Sequence, residues 1–359
     1  MPKRKKDSVF TYRYGLLPRA RQKIKATMKK LDIVPVDPKV TIDHFVKNEK
    51  RFFMPAVHDK KGDTYFFKAR LQDTHEVYRA ALNEINFHKK IRPITHQVRS
   101  HFIIPEYKKS GIEKDYGFIW FLREYQEGKF AGIMDLDIGY TDEFLKKISP
   151  DRLAKAVIAF QVLTKKVTKV IKVPKHGFNW YNTDFQYYIQ KPHLQRFLKE
   201  EVPFIDHFYK SQKQFIEKNS NTLSHGDFYP NNVMVNPQGK LVLFDWELLN
   251  LNNVAFDPCF IYMLSWRRSG WRDKFLRTIY RQQKNQDRFQ KLFRICVFSL
   301  SLRFVRHARL AKTNDYAMQM KKSGYPPNKI KSIRTKALKA LPAHLKDLQT
   351  AIKKPNKFF

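Results

Sequence analysis

Cysteine is scarce in this chain: Cys259 and Cys296 stand alone, each in an apolar run. Two such residues provide neither the ligand spacing of a zinc site nor a disulfide framework. Reduced core thiols and a cytoplasmic location are therefore expected. Apolar runs long enough to cross a bilayer are missing as well. The longest, FRICVFSLSLRF from Phe293 to Phe304, is broken by charge and reads as a buried helix. The opening MPKRKKDSVF is basic but no apolar segment follows it, so no secretory signal is expected. Acidic side chains are the minority charge, with Asp+Glu 33 against Lys+Arg 70 and a formal charge of +37. Such a field attracts nucleic acid, anionic lipid or acidic metabolites. The lysines are spread along the chain, however, and no nucleic-acid motif accompanies them. A solvated surface is the plainer reading, and a nucleic-acid partner has no motif to support it. Repeats and low-complexity blocks are absent.

What is present is enough to fold. The chain has 359 residues, 42% hydrophobic and 14% aromatic, so it can bury a sizeable core in two domains or two lobes. Residues 1–38 read as a basic extension with a short helix from Arg19 to Leu31. From Lys39 the pattern becomes short β-branched and aromatic runs: VTIDHFV, RFFMPAV and TYFFKARL, with HDKKGD as a turn. A helix from Thr74 to Ile91 follows, with Val77, Ala81, Leu82 and Ile85 at helical spacing, then two strands in HFIIPEYKK and YGFIWFLREY. Residues 39–127 thus suggest an antiparallel sheet carrying one helix.

Beyond residue 128 the chain turns helical. Ser149-Pro150-Asp151 starts a helix expected to reach about Val173. Two more are expected over Thr183–Leu198 and Val202–Lys218, and three or four after residue 250. A β-hairpin interrupts them, made of VMV, the turn NPQG and KLVLF. The boundaries this implies are 128–340 for the helical part and 341–359 for a basic, fraying tail.

The hairpin holds the densest chemistry. His225, Gly226 and Asp227 form a loop, Asn232 enters the first strand five residues after Asp227, and Asp245 ends the second. The three polar residues therefore meet at one end of a small sheet. A carboxylate with an amide oxygen is a hard, oxygen-only ligand set suited to Mg²⁺ on phosphates. The other carboxylate would orient or deprotonate a hydroxyl. Phosphoryl transfer needs that division of labour.

HGDFYPNNVMV followed by LVLFDWE resembles the aminoglycoside phosphotransferase and choline kinase family, which is similar in fold to protein kinases. The resemblance implies an α+β, bilobal kinase-like fold and an ATP- and Mg²⁺-dependent transfer to a small-molecule hydroxyl. It makes Asp227 the catalytic base and Asn232 and Asp245 the Mg²⁺ ligands. Glu247 completes the family's Asp-x-Glu and would support Asp245 or a second metal. His225 would brace the loop by hydrogen bonding, and Gly226 would permit its tight backbone. Asp257 matches an acid that stabilises the family's catalytic loop, although a helix N-cap would equally explain it. Such a fold also needs a strand lysine paired with a helix glutamate. Lys68 in TYFFKARL and Glu84, mid-helix, fit, whereas Glu76 reads as a first-turn acid. Backbone groups near Glu124 and Tyr125 would meet the adenine at a hinge ending in Gly128.

Two features depart from the pattern or leave it open. Only Gly62 lies between Arg51 and Tyr65, so the Gly-rich phosphate loop of protein kinases is missing. The acceptor is not specified. Trp180, Tyr181, Trp266 and Trp271 would suit a choline-like cation as an aromatic wall, or serve helix packing. The basic second half fits a phosphorylated or carboxylated acceptor, or a sugar, better than a polycationic aminoglycoside. The competing readings are a catalytically silent kinase-fold scaffold that binds nucleotide, and a basic nucleic-acid-binding protein. No activation segment points to a protein substrate.

Overall fold

The computed structural model describes residues 17–47, 51–71, 75–98, 101–113, 118–132, 139–190, 194, 198–311, 313–322 and 325–359. These divide into two units, with boundaries at Lys89/Lys90, Ile104/Pro105 and Gln126/Glu127.

The first unit is an antiparallel sheet with helices on its faces. Its elements are α1 (Leu17–Leu31), β1 (Ile33–Pro35), α2 (Ile42–Lys47), β2 (Phe52–Phe53), β3 (Ala56–Asp59), β4 (Thr64–Arg70), α3 (His75–Asn86), β5 (Tyr107–Glu113) and β6 (Phe118–Glu124). The strand order is β1-β3-β4-β6-β5, with β2 on β4. Both faces are apolar because each strand carries hydrophobic residues at odd and even positions. Phe53, Val57, Phe67, Trp120 and Leu122 pack with Ile24 and Met28 of α1. Phe52, Ile119 and Phe121 pack with Val77, Ala81 and Ile85 of α3. Each of the Val, Leu, Ile, Phe and Met side chains among them contributes about 1.5–3 kcal/mol on burial. Lys68 lies between Phe67 and Ala69 in β4 and so points to the α3 face.

The sequence reading is corrected here in three places. VTIDHFV is helical rather than extended, because Ile42 and Phe45, three residues apart, share a face against the core. Residues 17–38 of the expected extension are integral: α1 supplies core residues and β1 pairs with β3. The strand expected from His101 begins only at Tyr107, after Pro105. Residues 1–16 lie outside the described residues.

The second unit is mainly helical. It contains β7 (Lys129–Phe130), α4 (Asp142–Lys147), α5 (Pro150–Gln161), α6 (Thr164–Val170), α7 (Phe178–Ile189), α8 (Glu201–Ser211), α9 (Lys213–Asn219) and β8 (Thr222–Ser224). After these come β9 (Val233–Val235), β10 (Leu241–Leu243), β11 (Asn250–Asn252), α10 (Phe256–Leu264), α11 (Ser269–Arg281), α12 (Gln286–Leu310), α13 (Asn314–Lys322) and α14 (Pro327–Lys353). The Ser149 hydroxyl accepts from Arg152 N at 3.3 Å and caps α5, with Pro150 in its first turn. The helix expected to run to Val173 instead breaks after Gln161, and that over Val202–Lys218 breaks at Gln212. The Thr183–Leu198 helix begins earlier, at Phe178; its expected end lies largely outside the described residues. Five α-helices follow residue 250 among the described residues. The expected fraying tail is a correction: α14 runs through Pro342 to Lys353, burying Leu341, His344, Leu348 and Ala351 along α12. Phe358 packs on Phe293 and Tyr262. Among the described residues, no helix is long and apolar enough to cross a membrane.

Candidate active site

Two small sheets of the second unit frame the loop. β9 and β10 form the expected hairpin, and Ile103 adds a parallel bridge to Val242. β8 pairs with β11, so Ser224 sits opposite Asn250. Between β8 and β9 runs the loop of His225, Gly226 and Asp227. Gly226 has φ +78°, and a Cβ there would lie 2.5 Å from both Asn250 Nδ2 and the Leu248 carbonyl oxygen. A side chain is thus excluded by conformation and by space. The Gly226→Ala variant is expected to lose roughly 1–3 kcal/mol of stability, measured by denaturant unfolding. An unchanged midpoint would mean that the loop is looser than this geometry.

Asp257 fastens the loop from behind. Its buried carboxylate accepts from the Ser224 hydroxyl at 2.7 Å, His225 N at 2.8 Å and Gly226 N at 3.1 Å. Burial pushes this acid up to about 6, held down in part by those three bonds. The N-cap reading fails, since Ala255 is the N-cap and Asp257 lies in the first turn of α10. Asp257→Asn keeps the volume but turns an amide NH₂ toward a backbone N–H. It is expected to cost about 2–4 kcal/mol and to slow any chemistry at the loop at least tenfold, as small misplacements do. Urea titration and a rate measurement on the same variant read both effects, and wild-type stability would count against the anchor role.

His225 is buried, packed 4.4 Å from Trp246 and 4.8 Å from Phe228 between ring centres. Its Nε2 lies 2.8 Å from the Phe244 carbonyl oxygen, so Nε2–H donates there. Burial lowers the ring to about 4, so it stays neutral at pH 7. This is the chemistry of a brace. The Tyr140 hydroxyl, also buried, donates to the Phe228 carbonyl at 2.8 Å.

Asp227 and Asn232 meet directly. Asn232 Nδ2 donates to Asp227 Oδ2 at 2.7 Å and to its carbonyl oxygen at 2.9 Å. Asn231 Nδ2 donates to Asn232 Oδ1 at 2.9 Å. Burial raises the Asp227 carboxyl to about 8, the charges of Asp245 and Glu247 push the same way, and Arg303 opposes them. Asp245, Glu247 and Asp227 therefore share a small volume in a chain of the opposite net charge. Asp245 holds a left-handed conformation, φ 60° and ψ 72°, that non-glycine residues adopt at a cost of about 1–3 kcal/mol. The carboxylates and the Asn232 amide form an oxygen-only donor set, and a divalent cation there would relieve the repulsion that adds to burial in raising Asp227.

Lys68 and Glu84 belong to the first unit. Lys68 Nζ lies 2.6 Å from Glu84 Oε2; both residues are buried, and the ammonium sits 4.5 Å from the Phe52 ring centre. Glu76 is exposed at the start of α3. Glu124 accepts from Glu106 N at 3.0 Å, and Tyr125 is exposed beyond the end of β6.

The four aromatic residues read as a wall for a cation do not form one. Tyr181 is buried and its hydroxyl donates to Asn252 Oδ1 at 2.7 Å. Trp180 stacks on His176. Trp271 donates from its indole to the Ile148 carbonyl at 2.9 Å, and Trp266 lies beneath Arg267. Arg303, Tyr229, Tyr140 and Ser224 were missed by sequence reasoning. The signal for Arg303 was available: it is one of the charges that break the apolar pattern of α12.

Residues 151–291 match the model of the phosphotransferase enzyme family. The family resemblance is borne out over that span. No curated protein sequence matches the chain significantly. The solved GDP and kanamycin complex of APH(2")-IIia is similar with a TM-score of 0.52 and 13% identity, over 76% of this chain and 88% of that one. The GDP complex of wild-type aminoglycoside 2'-phosphotransferase-IIIa also gives 0.52 and 13%, over 87% and 98%. Likeness at that identity is one of fold, and the expected α+β kinase-like fold holds.

Proposed function

We propose, from the phosphotransferase pattern over residues 151–291, that this protein moves the γ-phosphoryl group of ATP to a hydroxyl of a small molecule. The observation that carries the reading is Asp227: oriented by Asn232 and crowded by two further acids on one loop and hairpin. Asp227 Oδ2 is engaged by Asn232, which leaves Oδ1 for the acceptor's hydroxyl proton. Asn232 and Asp245, with Glu247 in support, would hold Mg²⁺, whose charge would steady the phosphates during transfer. Lys68, aligned by Glu84, would bind nucleotide phosphate, and backbone groups near Glu124 and Tyr125 would meet the adenine. His225 and Asp257 keep the loop in place and take no proton. Both similar structures named above are GDP complexes, which supports nucleotide binding and makes GTP a donor worth comparing with ATP.

The test is Mg²⁺-dependent transfer of labelled γ-phosphate from ATP, and separately from GTP, into pooled small metabolites. Asp227→Asn runs beside the wild type. A labelled small product that disappears in the variant supports the reading. Nucleotide binding without product would favour a silent scaffold. Neither binding nor product would remove the nucleotide role and direct attention to the basic surface.

A further inference from the structure

The second unit contains a cavity of about 300 Å³ lined by Tyr229. Tyr229 is two residues after Asp227, within about 7 Å of it along the chain. Arg303, Phe304, Arg306 and His307 of α12 and Tyr188 of α7 form much of the remaining wall. Positions 303, 306 and 307 fall on one helix face. The volume is at the small end of the range for small-molecule sites.

The lining is cationic and aromatic, and no carboxylate belongs to it among the described residues. Arg303 already has a counter-charge: it lies 3.6 Å from Asp184 Oδ1, and the Ser299 hydroxyl donates to Asp184 Oδ2 at 2.8 Å. Arg306 differs. Its guanidinium lies 5.4 and 5.9 Å from the ring centres of Tyr187 and Tyr188, and its buried Nε, like that of Arg303, has no hydrogen-bond partner among the described residues. No carboxylate pairs with it among those residues. A guanidinium beside aromatic rings, with no carboxylate paired to it, keeps its donor fork for a carboxylate or phosphate. The same charge opposes a polycation.

We propose, resting on the phosphotransferase reading above, that the acceptor is a small anionic alcohol. Arg306 would bind its carboxylate or phosphate monoester, and its free hydroxyl would face Asp227. In the transfer, the acceptor oxygen forms a bond to the γ-phosphorus of ATP while the bond to the β–γ bridging oxygen breaks. ADP leaves with that electron pair, and the hydroxyl proton passes to Asp227. Arg303, tied to Asp184, is a positioning residue for this wall.

The experiment compares wild type, Arg306→Ala and Arg306→Lys with ATP and Mg²⁺ against a hexose monophosphate, a hydroxycarboxylate, the neutral hexose and kanamycin. Transfer to an anionic acceptor is expected, and which one reacts separates phosphate from carboxylate. Arg306→Ala should raise KM for it roughly ten- to a hundredfold with kcat nearly kept, and Arg306→Lys should recover part. Turnover of the hexose or kanamycin in preference to both anions overturns the proposal and leaves the phosphotransferase reading intact. Calorimetric titration of the same anions is the second readout. Binding that is lost in Arg306→Ala, with no transfer to any acceptor, supports the anion site and sets aside the phosphotransferase reading. Anion binding that is absent, or equal in wild type and Arg306→Ala, overturns the site itself.

Discussion

The Asp227→Asn variant is expected to lose roughly 10²- to 10⁴-fold in kcat while unfolding at a higher denaturant concentration than the wild type at pH 8. The two effects have one cause. Burial, with the charges of Asp245 and Glu247, lifts Asp227 from its ordinary 3.8 to about 8. Between those values the folded protein keeps a proton that the unfolded chain has released. Stability therefore falls as pH rises through that window, and the penalty is complete above about pH 8. Asparagine does not titrate and keeps much of the shape, so it removes the penalty along with the proposed base. Below about pH 4 both forms of Asp227 are protonated, and the two proteins should unfold alike in this respect. Mg²⁺ held by Asn232 and Asp245, as proposed, would bear on the same carboxylates from the opposite side. The acid limb of kcat should therefore shift to lower pH as Mg²⁺ rises from limiting to saturating. A limb that does not move would place the metal away from Asp245. A variant both inactive and destabilised at pH 8 would show that Asp227 is a structural acid.

Lys68→Met is the second large effect. The Lys68–Glu84 pair is buried on the apolar α3 face of the sheet, with the ammonium against Phe52. Removing one partner leaves a carboxylate in that environment, which costs about 3–5 kcal/mol. Replacing both partners with apolar groups costs far less, because no charge is left behind. Lys68→Met with Glu84→Leu is thus expected to recover most of the stability lost by the single variant. Nucleotide affinity and transfer should stay low in both if Lys68 has the proposed role, since the charge that would meet phosphate is gone. Chemical denaturation gives the stability cycle, and equilibrium nucleotide binding gives the function. Recovery of nucleotide binding in the double variant would show that Lys68 is there for the fold alone.

The site was legible wherever its members lie close in sequence. His225, Gly226, Asp227 and Asn232 share one loop, and the hairpin returns Asp245 to them after a tight turn, so spacing alone predicts their meeting. Lys68 and Glu84 are 16 residues apart, and the alternation of β4 with the periodicity of α3 is enough to choose Glu84 over exposed Glu76. Similar patterns misled where two periodicities fit a short run: VTIDHFV satisfies a strand by composition, and its helix was decided by where Ile42 and Phe45 could be buried. The Lys-rich ends were read as a basic extension with a short helix and a fraying tail, although their apolar residues form continuous faces in α1 and α14.

The order of motifs, the loop chemistry and the lysine–glutamate pair were thus determined by the sequence itself, because strand alternation, helical period and turn residues act over a few positions. The role of Asp257 as a loop anchor, the left-handed backbone at Asp245 and the cationic wall of Arg303 and Arg306 were decided only by the tertiary structure. Asp257 reaches Ser224 across 33 residues, and α7 meets α12 because Tyr181, Phe185, Phe298 and their neighbours are buried together. Which polar groups face one another at that depth depends on how the apolar side chains pack, and no local pattern encodes it.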